Sequence, residues 1–454
     1  MTDRKTVAII LAAGLGTRMK SARSKVMHPL AGRPMVAHLL GALDPLGLDE
    51  IVVVVGDGME DVADAVQPHR AVIQSERLGT AHAVLAARDF LESFEGELLV
   101  LYGDTPLVSG PTLEAMLTAL RGPEKPAAVV LGFSPDDPGM YGRLIVGKDG
   151  NLKQIVEAQD ATPEQLPVPL CNSGVMALDG ATALSYLSRI GNDNAKGEFY
   201  LTDIIAISVS EQRSCQVVEG ETTELLGINS RAELAIAEAI VQSQLRGEAL
   251  AGGATLTDPT TVYFSFDTKI GKDVSIGPNV FFGPGVTVED RVEIQAFCHI
   301  EGAAVSSGAI VGPFARLRPG AVLEEDVHVG NFVEIKNATL ETGSKANHLT
   351  YIGDARVGAG ANIGAGTITC NYDGYFKSHT DIGAGAFIGS NTALVAPVKV
   401  GDGAMIGAGS VIAKDVAANA LAIERAPQKE IPGLARKFRD RKQAEKEKAK
   451  KKEE

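Results

Sequence analysis

An α/β layered domain followed by an all-β parallel coil is the fold this sequence predicts, and three observations predict it. Up to about residue 228, short apolar runs alternate with helix-like stretches. A single run of strong helix formers then covers 229–250, and beyond it aliphatic residues recur every six positions.

In the first stretch TVAII, IVVVVG (51–56), AVI (71–73), ELLVLYGD (97–104) and AAVVLGF (127–133) read as buried strands. AHAVLAARDFL and TLEAMLTAL read as covering helices. This rhythm predicts a largely parallel sheet with helices on both faces, whose ligands gather at the carboxyl ends of the strands. LAAGLGTRM (11–19) and LYGD both fall at such ends.

NSRAELAIAEAIVQSQLRGEAL, 229–250, starts at a plausible Asn or Ser cap and stops before Gly252-Gly253, as a connecting helix would. Past it, Ile270, Ile276, Phe282, Val288, Ile294 and Ile300 keep the six-residue interval. After a one-residue slip so do Val305, Val311, Leu317, Leu323, Val329 and Ile335. The pattern resumes at Tyr351, Val357 and Ile363, and again from Ile382 to Ile412, with glycine behind many of these positions. Three such repeats make one turn of a triangular parallel β-helix, the aliphatic residue pointing inward and the glycine allowing the corner. Neighbouring coils supply one another's core, as in other solenoids. TCNYDGYFKSHTD (369–381) breaks the period and is predicted to leave the prism as a loop.

Composition narrows the function classes. The chain has 454 residues, 22% charged and 45% hydrophobic, enough for two or three ordinary globular domains. A formal charge of −14 argues against nucleic acid as a general partner. The last nineteen residues carry ten basic and five acidic side chains, so the preceding body holds about −19, and the tail (436–454) is predicted to be disordered and solvated. Cys171, Cys215, Cys298 and Cys370 form no CxxC pair, which fits a reduced, cytoplasmic protein. No apolar run reaches the roughly 20 residues of a membrane span, so no membrane insertion is expected.

The glycine loop fits neither common phosphate-binding fingerprint, because Met19 stands where a dinucleotide site needs glycine and no Gly-Lys-Ser/Thr follows. Backbone N–H groups around Gly14 and Gly16 could still nest an anion, with Arg18 and Lys25 adding cations.

LAAGLGTRM followed by SKVMHPLAGRPM, with QSERLGTAHAV, LYGDTPL, YGR, IVEAQDAT, CNSGV, GEFYLTDII and GINSR in order, resembles the sugar-nucleotide pyrophosphorylases. With the six-residue coil attached, nearly the whole chain resembles the family of bifunctional bacterial enzymes that make UDP-N-acetylglucosamine, a cell-wall precursor. The resemblance implies a Rossmann-like nucleotidyltransferase domain (1–228), a helical linker (229–250), and a left-handed parallel β-helix of hexapeptide repeats with acetyltransferase activity (251–435). It further implies Mg²⁺ held by Asp104 and Asn229, and a UTP or UDP-N-acetylglucosamine site. Leu11, Ala12, Ala13 and Gly14 would line that site, Arg18 and Lys25 would neutralise phosphates, and Gln74, Gly79 and Thr80 would face uracil. Tyr102, Gly142, Glu157 and Asn172, with Asn229, would hold ribose and sugar. Gln159 departs from the family, which usually has lysine there.

The second activity, acetylation of glucosamine 1-phosphate by acetyl-CoA, needs a base, because the sugar amine attacks only when unprotonated. The resemblance implies His348 in SKANHLTYIGDA for that role, and Arg318, Lys336, Tyr351 and Asn362 for the sugar phosphate. It assigns Ala365, Asn371, Tyr372, Ser390, Ala408 and Arg425 to acetyl-CoA. Asn347 stands where the family commonly has glycine; asparagine would tolerate a positive φ there. A homotrimer of prisms with sites at the clefts between them is also implied. Two rival readings are a noncatalytic oligomerisation coil and a zinc site on His299, His328 and His348, whose unequal intervals of 29 and 20 residues count against it.

Overall fold

The computed structural model describes residues 4–92, 94–194 and 196–453. They divide into two compact units: the chain up to Ala251 together with Tyr263–Thr268, and Gly252–Val262 with the chain from Lys269.

In the first unit the main path of a nine-stranded sheet runs through Thr6–Leu11 (β1), Glu50–Gly56 (β2), Arg70–Gln74 (β3), Glu97–Tyr102 (β4), Ala128–Phe133 (β5), Cys171–Asp179 (β6) and Cys215–Glu219 (β7). They lie side by side in the order β7-β5-β6-β4-β1-β2-β3. All neighbours are parallel except β6, which runs antiparallel to β4 and β5. The short apolar runs are strands because both faces of the sheet are covered. Ile10, Val53 and Leu101 enter one apolar cluster, and their neighbours Ile9, Val52 and Val100 enter another on the opposite face. TLEAMLTAL lies in a helix that begins earlier, at Gly110, where Ser109 Oγ accepts the Thr112 N–H at 3.3 Å. AHAVLAARDFL is two helices, Thr80–Leu85 and Arg88–Leu91.

The long helix is Arg231–Ala251. Instead of spanning free between domains it packs on the first unit, where Ala237 and Val241 join a small cluster with Leu30, Met35 and Ile228. Gln242 closes a reciprocal pair with the Phe264 backbone, at 2.7 and 2.8 Å, and Glu238 accepts the Ala31 N–H at 2.8 Å. Those partners lie far away in sequence, so local composition could not reveal the packing.

In the second unit Ile276 pairs in parallel with Ile294, Ile294 with Val311 and Val311 with Val329, so one turn takes eighteen residues, or seventeen at a slip. Three columns of inward aliphatic side chains form the core; Ile294, Val311, Leu317 and Leu323 are all buried. Tyr351 is a correction: a slip in the preceding coil makes Ile352 the inward residue, at 1% exposure, and turns Tyr351 outward.

The repeat glycines also act differently from expectation. Gly277 and Gly364 do not lie in the left-handed region. A Cβ on either would stand 2.8 Å from Ala296 N or 2.6 Å from Ile388 O of the next coil, so they permit close stacking of backbones. The corners are turned by residues three positions after the aliphatic one, such as Asn279, Phe297, Phe314 and Asn391, whose φ values are 57°, 62°, 57° and 57°.

The chain leaves the prism after the strand Ile368–Cys370 and returns at Thr380–Ile382. Where the sequence predicts a disordered tail, the chain holds the helix Leu434–Glu453, exposed along residues 434–450. Its lysines, glutamates and alanines are strong helix formers, and pairs such as Arg436–Asp440 and Arg441–Glu445 fall one turn apart.

Candidate active sites

The first site forms where β1 and β4 end. The Gly103 N–H bonds the Leu11 carbonyl at 3.0 Å, and the Ile228 N–H bonds the Asp104 carbonyl at 2.8 Å, so three segments distant in sequence meet. Lys25 Nζ ion-pairs with Asp104 and donates to Asn229 Oδ1 at 3.1 Å. Asn229 is held in turn, its N–H donating to Glu233 Oε2 at 2.7 Å. Gly16, at φ 62°, is required twice: for the turn, and because a Cβ there would sit 2.6 Å from Lys25 Cβ. It clears the path of the lysine stem.

A cavity of about 250 Å³ opens beside this cluster. Of the residues singled out from the sequence it collects Leu11, Ala12, Ala13, Gly14, Lys25, Gln74, Gly79, Thr80, Tyr102 and Asp104. Gln74 is turned partly inward on the protein, with Nε2 3.4 Å from the Gly79 carbonyl and 3.3 Å from His82 Nδ1. Burial pushes the Tyr102 phenol far above its ordinary range, against a hydrogen bond from Thr80. The hydroxyl is therefore a neutral donor.

A second cavity of about 700 Å³ holds Arg18, Glu157 and Asn229. Arg18 thus lines a different cavity from Lys25, which the sequence did not separate. Burial raises the Glu157 carboxyl, Lys196 opposes the shift, and Asp160 and Asp203 add to it. Gly142 and Asn172 are joined by a 2.8 Å backbone bond, and Asn172 Oδ1 accepts the Gly174 N–H at 3.0 Å. A Cβ on Gly142 would lie 3.5 Å from Glu157 Oε1, which places this pair beside Glu157.

The sequence reading missed Arg77, which lines the first cavity and donates from Nε to the Ala13 carbonyl at 2.7 Å. It lay inside the quoted QSERLGTAHAV motif, so the signal was present. Lys196, beside Gln159 in the second cavity, was also missed.

In the second unit His348 ends the strand Lys345–His348, and its Nδ1 lies 2.7 Å from Asn331 Oδ1, on the strand one coil earlier. The amide oxygen can only accept, so Nδ1 carries the proton and Nε2 keeps a free lone pair. Asn331 was not singled out from the sequence. Asn347 needs no positive φ; that conformation belongs to Leu349, at 51°. Asn347 Oδ1 is buried without a hydrogen-bond partner among the described residues.

Ala365, Ser390 and Ala408 each precede a left-handed corner residue, Gly366, Asn391 and Gly409, just as His348 precedes Leu349. Backbone bonds of 3.3, 2.7 and 2.8 Å link these corners coil to coil, so the four form one column along the prism. Arg425 closes its end, Nη1 donating to the Ala408 carbonyl at 2.6 Å.

Around the corner, Leu317 pairs with Ile335 and Lys336 with Gly353, which stacks Arg318 directly against Lys336. Arg318 bonds Glu334 at 2.9 Å, and Lys336 Nζ lies 3.7 Å from Asp354 Oδ2. Tyr351 begins the same strand as Gly353, and Asn371 bonds Asp354. Tyr372, on the loop, is exposed and donates to the Gly374 carbonyl at 2.6 Å. The loop also brings Lys377, unnoticed in the sequence, against Lys336, whose ammonium holds it below the usual lysine range. Asn362 is not brought to this group; it pairs with Lys345 on another face.

The MobA-like NTP transferase domain family matches residues 8–159, and the bacterial transferase hexapeptide family, of six repeats, matches 267–302 and 379–414. The hexapeptide match identifies the three-faced coil as a left-handed parallel β-helix. Over 446 residues the chain is 62% identical to "Bifunctional protein GlmU" of Paramagnetospirillum magneticum, covering 98% of this chain and 99% of that protein. It is 64% identical over 435 residues to the protein of that name from Rhodospirillum rubrum, covering 96% and 97%. For Zymomonas mobilis the figures are 50% over 439 residues, 96% and 98%. Among the described residues, no helix is long and apolar enough to cross a membrane.

Proposed function

The chain belongs to the GlmU family of bifunctional proteins, and from that premise we propose how its residues divide two reactions. The protein is a transferase that acetylates glucosamine 1-phosphate with acetyl-CoA and transfers UMP from UTP to N-acetylglucosamine 1-phosphate. Both are small-molecule reactions of one hexosamine, and their co-substrates belong to the cytoplasm.

The first unit carries uridylyl transfer. The observation that supports this most is the convergence of Asp104 and Asn229 oxygens on one cation, the Lys25 ammonium. Two oxygen donors turned to one point suit a hard divalent ion completed by substrate phosphates and water, and Mg²⁺ fits them. Such an ion would neutralise phosphate charge. The chain's own groups do the rest: Lys25 moves its charge to phosphate, the Gly14–Gly16 backbone offers N–H donors, and Tyr102 and Glu157 orient ribose and sugar. The sugar phosphate oxygen, already anionic, then attacks the α-phosphorus of UTP; the α–β P–O bond breaks and pyrophosphate leaves. Alignment and charge cancellation matter more than a base. Excess EDTA should therefore reduce pyrophosphate release by at least about 100-fold and leave CoA release from acetyl-CoA unchanged. Equal loss of both would count against the assignment.

The second unit carries acetyl transfer. His348 Nε2 takes a proton from the glucosamine amine as nitrogen attacks the thioester carbonyl, and returns it to the departing CoA sulfur. Arg318, Lys336 and Lys377 receive the sugar phosphate dianion. The column Ala365, Ser390, Ala408, with Asn371, Tyr372 and Arg425, lines the acetyl-CoA groove.

Three prisms pack side by side as a homotrimer. An exposed aromatic stack supports it: Phe297, Phe314 and Phe332 have ring centroids 4.8 and 5.1 Å apart and continue into exposed Leu349 beside His348. Asn362, on a different face from Lys336, would then serve a neighbour's site. Sedimentation equilibrium should give three times the 47.5 kDa chain mass; a monomer would contradict the packing.

A further inference from the structure

We propose that His28 and Arg231 form a positioning clasp that holds the Lys25 turn and the Asn229 segment in register with the glycine loop. The inference rests on the uridyltransferase reading of the first unit.

Arg231 is the first residue of the helix Arg231–Ala251. A cation there faces the positive end of the helix dipole and is disfavoured, so its placement calls for a compensating contact. The side chain turns back: Nε donates to the Met19 carbonyl at 3.2 Å, and Nη1 lies 3.2 Å from His28 Nδ1. A guanidinium can only donate, so His28 Nδ1 accepts and the ring proton sits on Nε2. Burial, then Arg231 and Arg23, hold His28 below its usual range, in keeping with a neutral ring. The residue is 2% exposed, and Nε2 finds no partner among the described residues. An apolar side chain would fill this place without stranding a donor. What the imidazole supplies instead is an acceptor for Arg231.

Three backbone segments meet at this contact. Met19 closes the glycine loop; His28 follows the Lys25–Met27 turn, its N–H bonded to the Lys25 carbonyl at 3.3 Å; Arg231 lies two residues beyond Asn229. Each segment carries a group directed at phosphate or metal. The Lys25–Asn229 bond joins two of them through side-chain atoms that must exchange partners when substrate binds. The clasp joins all three behind the site and need not break. Outer partners of this kind set the direction of the groups that touch the ligand.

The test uses the full chain with Arg231→Met, His28→Leu, their combination, and His28→Asn, which keeps an acceptor near the Nδ1 position. Thermal melts and far-ultraviolet circular dichroism of the same preparations report an intact first unit, because acetyl transfer reports only the second. Arg231→Met and His28→Leu should each lower kcat for pyrophosphate release about tenfold and weaken Mn²⁺ binding, titrated by electron paramagnetic resonance, about tenfold. The double variant should be no worse than the poorer single one, and His28→Asn should stay within about threefold of the parent. Unchanged kcat and Mn²⁺ affinity in Arg231→Met, additive losses in the double variant, or His28→Asn as impaired as His28→Leu would each overturn the clasp. A parent chain without pyrophosphate release would overturn the uridyltransferase reading instead, and Mn²⁺ binding would still decide the clasp.

Discussion

His348→Ala should lower CoA release from acetyl-CoA and glucosamine 1-phosphate by about 10² to 10⁴-fold, the range for losing a positioned general base. Pyrophosphate release should stay at the parent level. The ring is aimed by Asn331, 2.7 Å from Nδ1, so Nε2 is the free basic nitrogen. Nothing else in its column can take a proton, because the residues that follow it, Ala365, Ser390 and Ala408, carry methyl or hydroxyl groups. Acetyl transfer within tenfold of the parent would remove His348 from the role of base.

Asp104→Ala should do the reverse, lowering pyrophosphate release by about 10² to 10³-fold or more while acetyl transfer persists. Two losses combine. Among the described residues the carboxylate is the only charged oxygen donor that meets Lys25, and the Lys25 ammonium, whose side chain is 12% exposed, loses its ion-pair partner. A buried cation without that partner would seek another and leave the phosphate position. An Asp104→Ala protein that released pyrophosphate near the parent rate would mean the charged centre lies elsewhere.

Much of this was legible before the structure, for identifiable reasons. β1, β2, β4 and β5 announced themselves because a sheet covered on both faces needs continuous apolar runs, β3 by its short run AVI although Ile73 is exposed at the sheet edge, and the prism because each turn repeats the same burial every six residues. β6 shows in the sequence only as the motif CNSGV, since glycine and polar residues at its start hide a strand whose second half, VMAL, is buried. Tyr351 reads as an inward residue in the sequence because one-residue slips at the corners shift the phase invisibly, and Ile352 is the buried one. Glycines directly behind the aliphatic residue, such as Gly277 and Gly364, serve the close approach of the next coil, a property of stacking, whereas others, such as Gly366 and Gly409, do turn corners.

The site followed the same division. The groups proposed to touch ligand sit in motifs and could be named; the groups that aim them could not be paired with their partners, even where, like Arg77, His28 and Arg231, they lie in a motif too. Asn331 acts on His348 across 17 residues, Arg77 on Ala13 across 64, and Arg231 on His28 across 203. Only folding makes these neighbours. Lys377 was hidden because a loop outside the repeat carries it to Lys336.

The central claim is that two chemically independent centres, each set by its own framework, act in sequence on one hexosamine. Mixing the His348→Ala and Asp104→Ala proteins with glucosamine 1-phosphate, acetyl-CoA and UTP, and measuring UDP-N-acetylglucosamine, tests it most directly. Each protein alone should form product at least about 100-fold more slowly than the parent, and the mixture should restore formation, because the acetylated sugar phosphate made by one diffuses to the other. A mixture that stays silent, although each protein keeps its remaining activity, would contradict the claim.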